Sequence, residues 1–362
     1  MRIGLVAPPW IPVPPPADGG IEATVDTLAR GLAAAGHEVL LAASADSTCP
    51  VDKIAGLPVG DPGSPGSCVD ELRHSILAYG SMGDVDLIHD HTLAGALYRH
   101  RPGNTPVVVT AHGPFDAKLG EVYRDIARDA SVIAISHHQA STAPASVVDR
   151  VIHHGIDTST VPTGTGDGGY ACFLGRMHPS KGLFQAIGVA LLAQVPLRIA
   201  AKMHSREEHE YFSAVIKPLL GPQVEYVGEL NTTDKYILLG GAVALLNPIQ
   251  WSEPFGMIMI EALATGTPML STRRGSAPEI VRDGITGYLR TGLQGLAQAL
   301  SAAEALDRRA CRVSAEELFS ADAMVANHLG FYEELVGGPG MGSSAVRESL
   351  PAEGLRVGGP SF

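Results

Sequence analysis

Short, continuous apolar runs recur along this chain and alternate with segments of helical period. Ile3–Ala7, Val107–Thr110, Val132–Ile135, Ala171–Gly175 and Ala242–Asn247 are each four to six residues long, and several are rich in β-branched side chains. Such runs, separated by amphipathic stretches, mark parallel strands covered by helices on both faces. Helical patterns occupy Ile21–Ala35, Asp116–Ala130 and Ala321–Leu335. The alternation pauses at Thr158–Gly169, which is rich in Thr, Gly and Pro and reads as an interdomain linker, and it restarts at Ala171. The pattern predicts an α/β protein of two units, residues 1–160 and 161–315. Beyond Gly337 the chain loses apolar periodicity and gains Gly, Ser and Pro, so 337–362 is expected to be a mobile tail.

Composition narrows the class. A chain of 362 residues exceeds one ordinary domain, and 45% hydrophobic against 18% charged residues suits large buried sheets. No apolar stretch reaches the ~18 residues of a membrane span. The start, Arg2-Ile3-Gly4-Leu5-Val6, has strand rather than signal-peptide character. Cys49, Cys68, Cys172 and Cys311 are scattered without a C-x-x-C pair, the usage of reduced cytosolic thiols. The net charge is −12. A cytoplasmic protein without a stable membrane anchor or nucleic-acid partner is expected, as monomer or homodimer.

The chemistry concentrates in Trp251-Ser252-Glu253-Pro254-Phe255-Gly256-Met257-Ile258-Met259-Ile260-Glu261. It reads strand, turn, helix, with Gly256 at the helix start, Glu253 in the loop and Glu261 inside the helix. The N–H groups of a helix that starts there, Gly256, Met257 and Ile258, offer a seat for a phosphate. The carboxylates suit hydroxyl donors such as those of a sugar or ribose. An amphipathic helix with two surface glutamates would look similar. After Ala171–Gly175, Arg176 and Lys181-Gly182 place two cations near one strand end, suited to a diphosphate but also compatible with a solvated basic loop. Gly19-Gly20 precedes the helix Ile21–Ala35 and allows close backbone approach to an anion. Neither the dinucleotide fingerprint G-x-G-x-x-G nor the loop G-x4-G-K-[ST] is present.

Together these residues resemble the retaining glycosyltransferases of sequence family 4, of GT-B architecture. The resemblance rests on Gly19-Gly20-Ile21-Glu22, His89-Asp90-His91, His112-Gly113, Val151–Asp157, Gly175-Arg176 with Lys181-Gly182, and Glu253-Pro254-Phe255-Gly256 with Glu261. It continues through Gly266-Thr267-Pro268, Gly275–Val281 and Asp283–Gly287. It implies two Rossmann-like domains facing across a cleft, with an acceptor domain first, a nucleotide-sugar domain second, and a final helix (316–336) crossing back to the first. The implied activity moves a hexose from a nucleotide-sugar, UDP-linked by expectation, to an acceptor hydroxyl with retention. Arg176, Lys181 and the amides around Gly256-Met257-Ile258 would hold the diphosphate, with Gly19 and Gly20 facing them. Glu261 would bind the ribose, and Glu253 and His112 the donor sugar. Phe255 belongs to the same donor loop, and Gly228-Glu229-Leu230 would lie near the base. No metal or other cofactor is implied. Asp18 departs from the family, whose members often carry an aromatic residue there, which leaves donor or acceptor entry open.

The fourteen histidines do not add up to a metal site by spacing, since none shows the i, i+4 pairing of H-E-x-x-H. Most are expected at loops and strand ends lining the cleft. Residues 1–160 carry ten Lys+Arg against eighteen Asp+Glu, a balance of −8 that lacks the basic cluster of an anionic-membrane binder. A small or soluble acceptor is therefore expected. The alternatives are a lipid- or polysaccharide-directed transferase, a GT-B nucleotide-sugar epimerase, a nucleotide-sugar binding protein without catalysis, and a dinucleotide oxidoreductase.

Overall fold

The computed structural model describes residues 1–16, 19–61 and 66–337. Asp18 and the segment 338–362 lie outside the described residues. Two parallel sheets carry the fold. The first holds β1 (Arg2–Val6), β2 (Glu38–Ala42), β3 (Asp52–Lys53), β4 (Leu87–Asp90), β5 (Val107–Ala111), β6 (Ser131–Ala134) and β7 (Arg150–Val151), in the order β3-β2-β1-β4-β5-β6-β7. The second holds β8 (Ala171–Arg176), β9 (Leu197–Lys202), β10 (Val224–Gly228), β11 (Leu245–Asn247), β12 (Met269–Ser271) and β13 (Gly287–Leu289), in the order β10-β9-β8-β11-β12-β13. All neighbours are parallel.

Both sheets are therefore doubly wound, with the order reversing beside their first strand. In such sheets the loops on either side of the reversal diverge and open a crevice outside the strand C-termini. The reversals fall between β1 and β4 and between β8 and β11. The strands bury both faces: Ile3, Leu5, Leu87 and Val108 join one side of the first core, and Val6, Ile88, Val107 and Val109 join the other. This is why their sequences read as unbroken apolar runs.

The segment between the sheets is held tightly. From the helix Arg308–Leu318, Arg312 donates to the carbonyls of Thr158, Val161 and Ala264, and Arg308 to those of Gly164, Gly240 and Ala242. The last helix, Ala321–Gly337, buries Met324, Val325, Phe331 and Tyr332 in the first core, alongside Leu28 and Leu32. Arg150 pairs with Glu334, and Ile156 bridges Ser320.

Candidate active site

β8 ends on Arg176 and the turn after it carries Lys181, while the loop after β11 carries Trp251 to Gly256, so both flank the reversal in the second sheet. The loops are tied together where the Gln250 N–H donates to the Ser180 carbonyl at 2.8 Å. Lys181 donates to Glu253 Oε1 at 2.5 Å, and its ammonium lies 5.6 Å from the Trp251 ring centre. The Glu253 backbone is clamped from the far side. Ser276 N–H donates to the Glu253 carbonyl at 3.1 Å, and Ser276 Oγ donates to that of Phe255. A side chain at Gly275 would come within 2.3 Å of the Glu253 carbonyl oxygen, and its φ of +58° is left-handed. Gly275 is thus required by conformation and contact together.

Gly256, at φ +88°, caps the helix Met257–Ala264, which starts from the loop after β11 and has no side chain capping its first N–H groups. Glu261 lies just beyond the first turn and accepts from Lys235 at 2.6 Å. Lys235 comes from the helix Thr232–Gly241. Arg176, half-exposed, lies 3.6 Å from Glu208. Burial alone would raise the Glu208 pKa, but the His204 and Ser205 N–H groups and Arg176 bring it below its ordinary value. Lys202, in register with Arg176, is a further cation whose pKa burial lowers against the pull of Glu229 and Glu208. Gly228 ends β10, and Glu229 and Leu230 follow it at the same sheet edge.

The first sheet contributes histidines. His112 follows β5 and is half-buried. Its Nε2 shares a hydrogen bond with His91 Nδ1 at 2.9 Å, and its ring stacks on His154 at 5.2 Å. His154 in turn meets Phe255 edge-on at 5.4 Å. A continuous contact therefore leads from His112 across to the Glu253 loop. Burial, followed by neighbouring histidines, holds His112, His91 and His154 well below their ordinary pKa, so all three are neutral. Glu279 also crosses between the domains. Its carboxylate accepts from the backbone N–H groups of His137 and His138 at 2.8 and 2.6 Å and lies 3.0 Å from His153 Nε2.

The site thus gathers Arg176, Lys181, Glu253, Gly256 and Glu261 at one sheet edge and joins His112 to it through His154 and Phe255. Two expectations need correction. His89 does not line a cleft: it is fully buried, bonded to Tyr332 Oη at 2.6 Å and Thr110 Oγ1 at 2.7 Å, because the last helix packs over it. His91 and His154 are buried too. Phe255 turns its ring into the interdomain core against His153, His154 and Phe319, leaving only its backbone for a donor. A side chain at Gly20 would meet nothing within 4 Å, whereas one at Gly19 would strike Pro15. Reading the sequence missed Lys235, Lys202 and the bridging role of Glu279. Only Glu279 stands inside a family motif, and no local pattern marks the other two. His137, His153 and Glu279 bring ligand atoms within 4.8 Å of one another, a grouping that sequence spacing gave no hint of.

Family comparison settles the class. Residues 18–160 match the model of Glycosyltransferase Family 4, and residues 162–310 match that of Glycosyl transferases group 1. The chain belongs to the family 4 glycosyltransferases. It is 24% identical over 325 residues to a phosphatidyl-myo-inositol mannosyltransferase of Mycobacterium leprae, covering 80% of this chain and 83% of that one. Among solved structures it resembles AviGT4, a glycosyltransferase involved in avilamycin A biosynthesis (24% identity, TM-score 0.68, 94% and 99% coverage). It also resembles Anabaena Alr3699/HepE in complex with UDP and glucose (20% identity, TM-score 0.70, 92% and 100% coverage). The two-domain GT-B fold of this glycosyltransferase is common to them. No helix among its described residues is long and apolar enough to cross a membrane.

Proposed function

We propose that this glycosyltransferase moves a hexose from a UDP-sugar to the hydroxyl of a small or water-soluble acceptor, with retention and without a metal. The observation that carries the reading is the convergence of Lys181, Glu253 and the Gly256-capped helix at the β8/β11 reversal. Cleaving the bond between the anomeric carbon and the diphosphate oxygen leaves an oxocarbenium-like centre and adds negative charge to the diphosphate. Arg176, Lys181 and the amides of Gly256, Met257 and Ile258 neutralise that charge in place. An ammonium has three donors, so Lys181 keeps one on Glu253 and turns the others to phosphate. Glu253 takes sugar hydroxyls. Glu261 holds Lys235 through Oε1, leaving Oε2 for a ribose hydroxyl. The base lies by Gly228, Glu229 and Leu230, and Gly19 and Gly20 approach the donor from the first domain. The acceptor oxygen bonds to the anomeric carbon on the face the diphosphate leaves, and its proton passes to the departing phosphate. Binding of UDP in the Anabaena neighbour supports the choice of nucleotide.

A panel of nucleotide-sugars tested for slow hydrolysis, followed by acceptors offered with the best donor, tests this reading. Excess EDTA should leave the rate unchanged; loss of activity restored by a divalent ion would reverse the metal assignment. Epimerisation of the donor without any acceptor would favour an epimerase instead.

One observation favours a lipid acceptor. The helix Cys68–Gly80 of the first domain exposes Val69, Leu72, Ile76 and Leu77, an outward apolar stripe at helical spacing. Against it stands the −8 balance of residues 1–160. Sedimentation with liposomes separates the two: salt-sensitive binding to anionic vesicles would replace the soluble acceptor by a lipid.

A further inference from the structure

Whether His112 can donate to a sugar oxygen depends on which ring nitrogen carries its proton. The 2.9 Å contact between His112 Nε2 and His91 Nδ1 holds a single proton, because both imidazoles are neutral. Two arrangements satisfy it. If His112 donates, the one proton of His91 must sit on its Nε2. That atom is buried and has no hydrogen-bond partner among the described residues. His89, whose ring centre is 4.1 Å away, cannot serve, since its own nitrogens are committed to Tyr332 and Thr110. His154 touches His112 through ring faces rather than nitrogens, stacked at 23°. If His91 donates instead, its buried Nε2 is a bare acceptor. Both arrangements leave His91 Nε2 unpaired; among backbone groups an orphaned buried N–H is rarer than an under-satisfied acceptor, and the same preference at this nitrogen favours the second arrangement.

We infer that His91 donates from Nδ1 to His112 Nε2 and thereby fixes His112 as its Nδ1–H tautomer. His91 is then a positioning residue. It leaves Nδ1–H as the hydrogen that half-buried His112 offers a ligand, a neutral donor suited to a sugar hydroxyl oxygen and unable to act as a base at that atom. The mechanistic meaning rests on the contact between His112 and the donor sugar that the family resemblance implies; the tautomer does not.

Ring nitrogen-15 spectra of the full-length, histidine-labelled protein decide it, because protonated and bare imidazole nitrogens are well separated in shift. The signals are assigned by their loss in His112→Gln and His91→Gln. Expected are a protonated Nδ1 and a bare Nε2 on both residues; a protonated Nε2 on His112 overturns the inference. For function, His91→Leu should release the tautomer and lower kcat about 10-fold with donor KM little changed, while His91→Gln, which can still donate, restores both. An unchanged tautomer and kcat in His91→Leu would show that His91 positions nothing. If His91→Leu does not fold, the wild-type spectrum still decides between the two tautomers. Full turnover in His112→Ala would remove the proposed sugar contact while leaving the tautomer measurement standing.

Discussion

At the C-terminal edge of the second sheet, the groups facing the crevice are ionised and paired with one another: Lys181 with Glu253, Lys235 with Glu261, Arg176 with Glu208. At the same edge of the first sheet, built on the same strand order, stand the neutral histidines His91 and His154, both buried, and His112, half-buried. The contrast has a physical basis. Pairs that still reach solvent can exchange or share a partner with an incoming phosphate or hydroxyl at modest cost. A histidine closed over by the last helix cannot hold charge, so it serves by fixed hydrogen bonds and ring contacts. Under the proposed function, one half adapts to the ligand and the other holds its shape.

This division can be broken most directly in the second domain. Arg176→Ala and Lys181→Ala should each lower turnover by roughly 100-fold, since each removes a charge aimed at the leaving group. Their thermal melts should stay near wild type, because both sit at the edge of the crevice. Near-normal initial rates in both variants would sink the diphosphate assignment.

Next in size, Glu261→Ala should weaken UDP about 10-fold, the loss of one or two hydrogen bonds to the ribose. Glu253→Ala should spare UDP and impair use of the intact nucleotide-sugar. Calorimetry with UDP alone reads the difference, and equal losses would refute the separation of roles.

In the first domain the signs reverse. Tyr332→Phe strips His89 Nδ1 of its partner in the core and should cost about 1 kcal/mol of stability in denaturant melts. Donor KM should hold within about twofold. A variant of unchanged stability that loses activity would break the comparison.

The smallest effect belongs to the bridge. Burial pushes the Glu279 pKa up, but the His153 side chain and the His138 and His137 N–H groups more than offset it, leaving the pKa below 4.5. A carboxylate with a lowered folded-state pKa stabilises fully above its unfolded value, and that stabilisation is lost as pH falls through the folded value. Glu279→Ala should therefore melt lower near neutrality and show a flatter decline below about pH 4.5. Parallel melting curves against pH for the two proteins would contradict this.

What the sequence by itself determined was whatever rests on local pattern. Unbroken apolar runs announced strands buried on both faces, since such strands have no solvent side to mark with polar residues. Glu253, Gly256 and Glu261 were legible because a strand, a turn and a helix start lie in one continuous stretch, and Arg176 and Lys181 because they follow one strand. Only the tertiary structure decided the rest. Lys235 and Glu261 lie 26 residues apart and become partners because their helices pack side by side. His89 and Tyr332 are separated by 243 residues, and their bond exists because the last helix returns to the first sheet. The same return encloses His89 and helps to keep it neutral, whereas its spacing alone suggested a cleft. Burial and long-range pairing arise from chain crossings that no window of neighbouring residues contains, and in this protein such a crossing buries His89 and keeps it neutral.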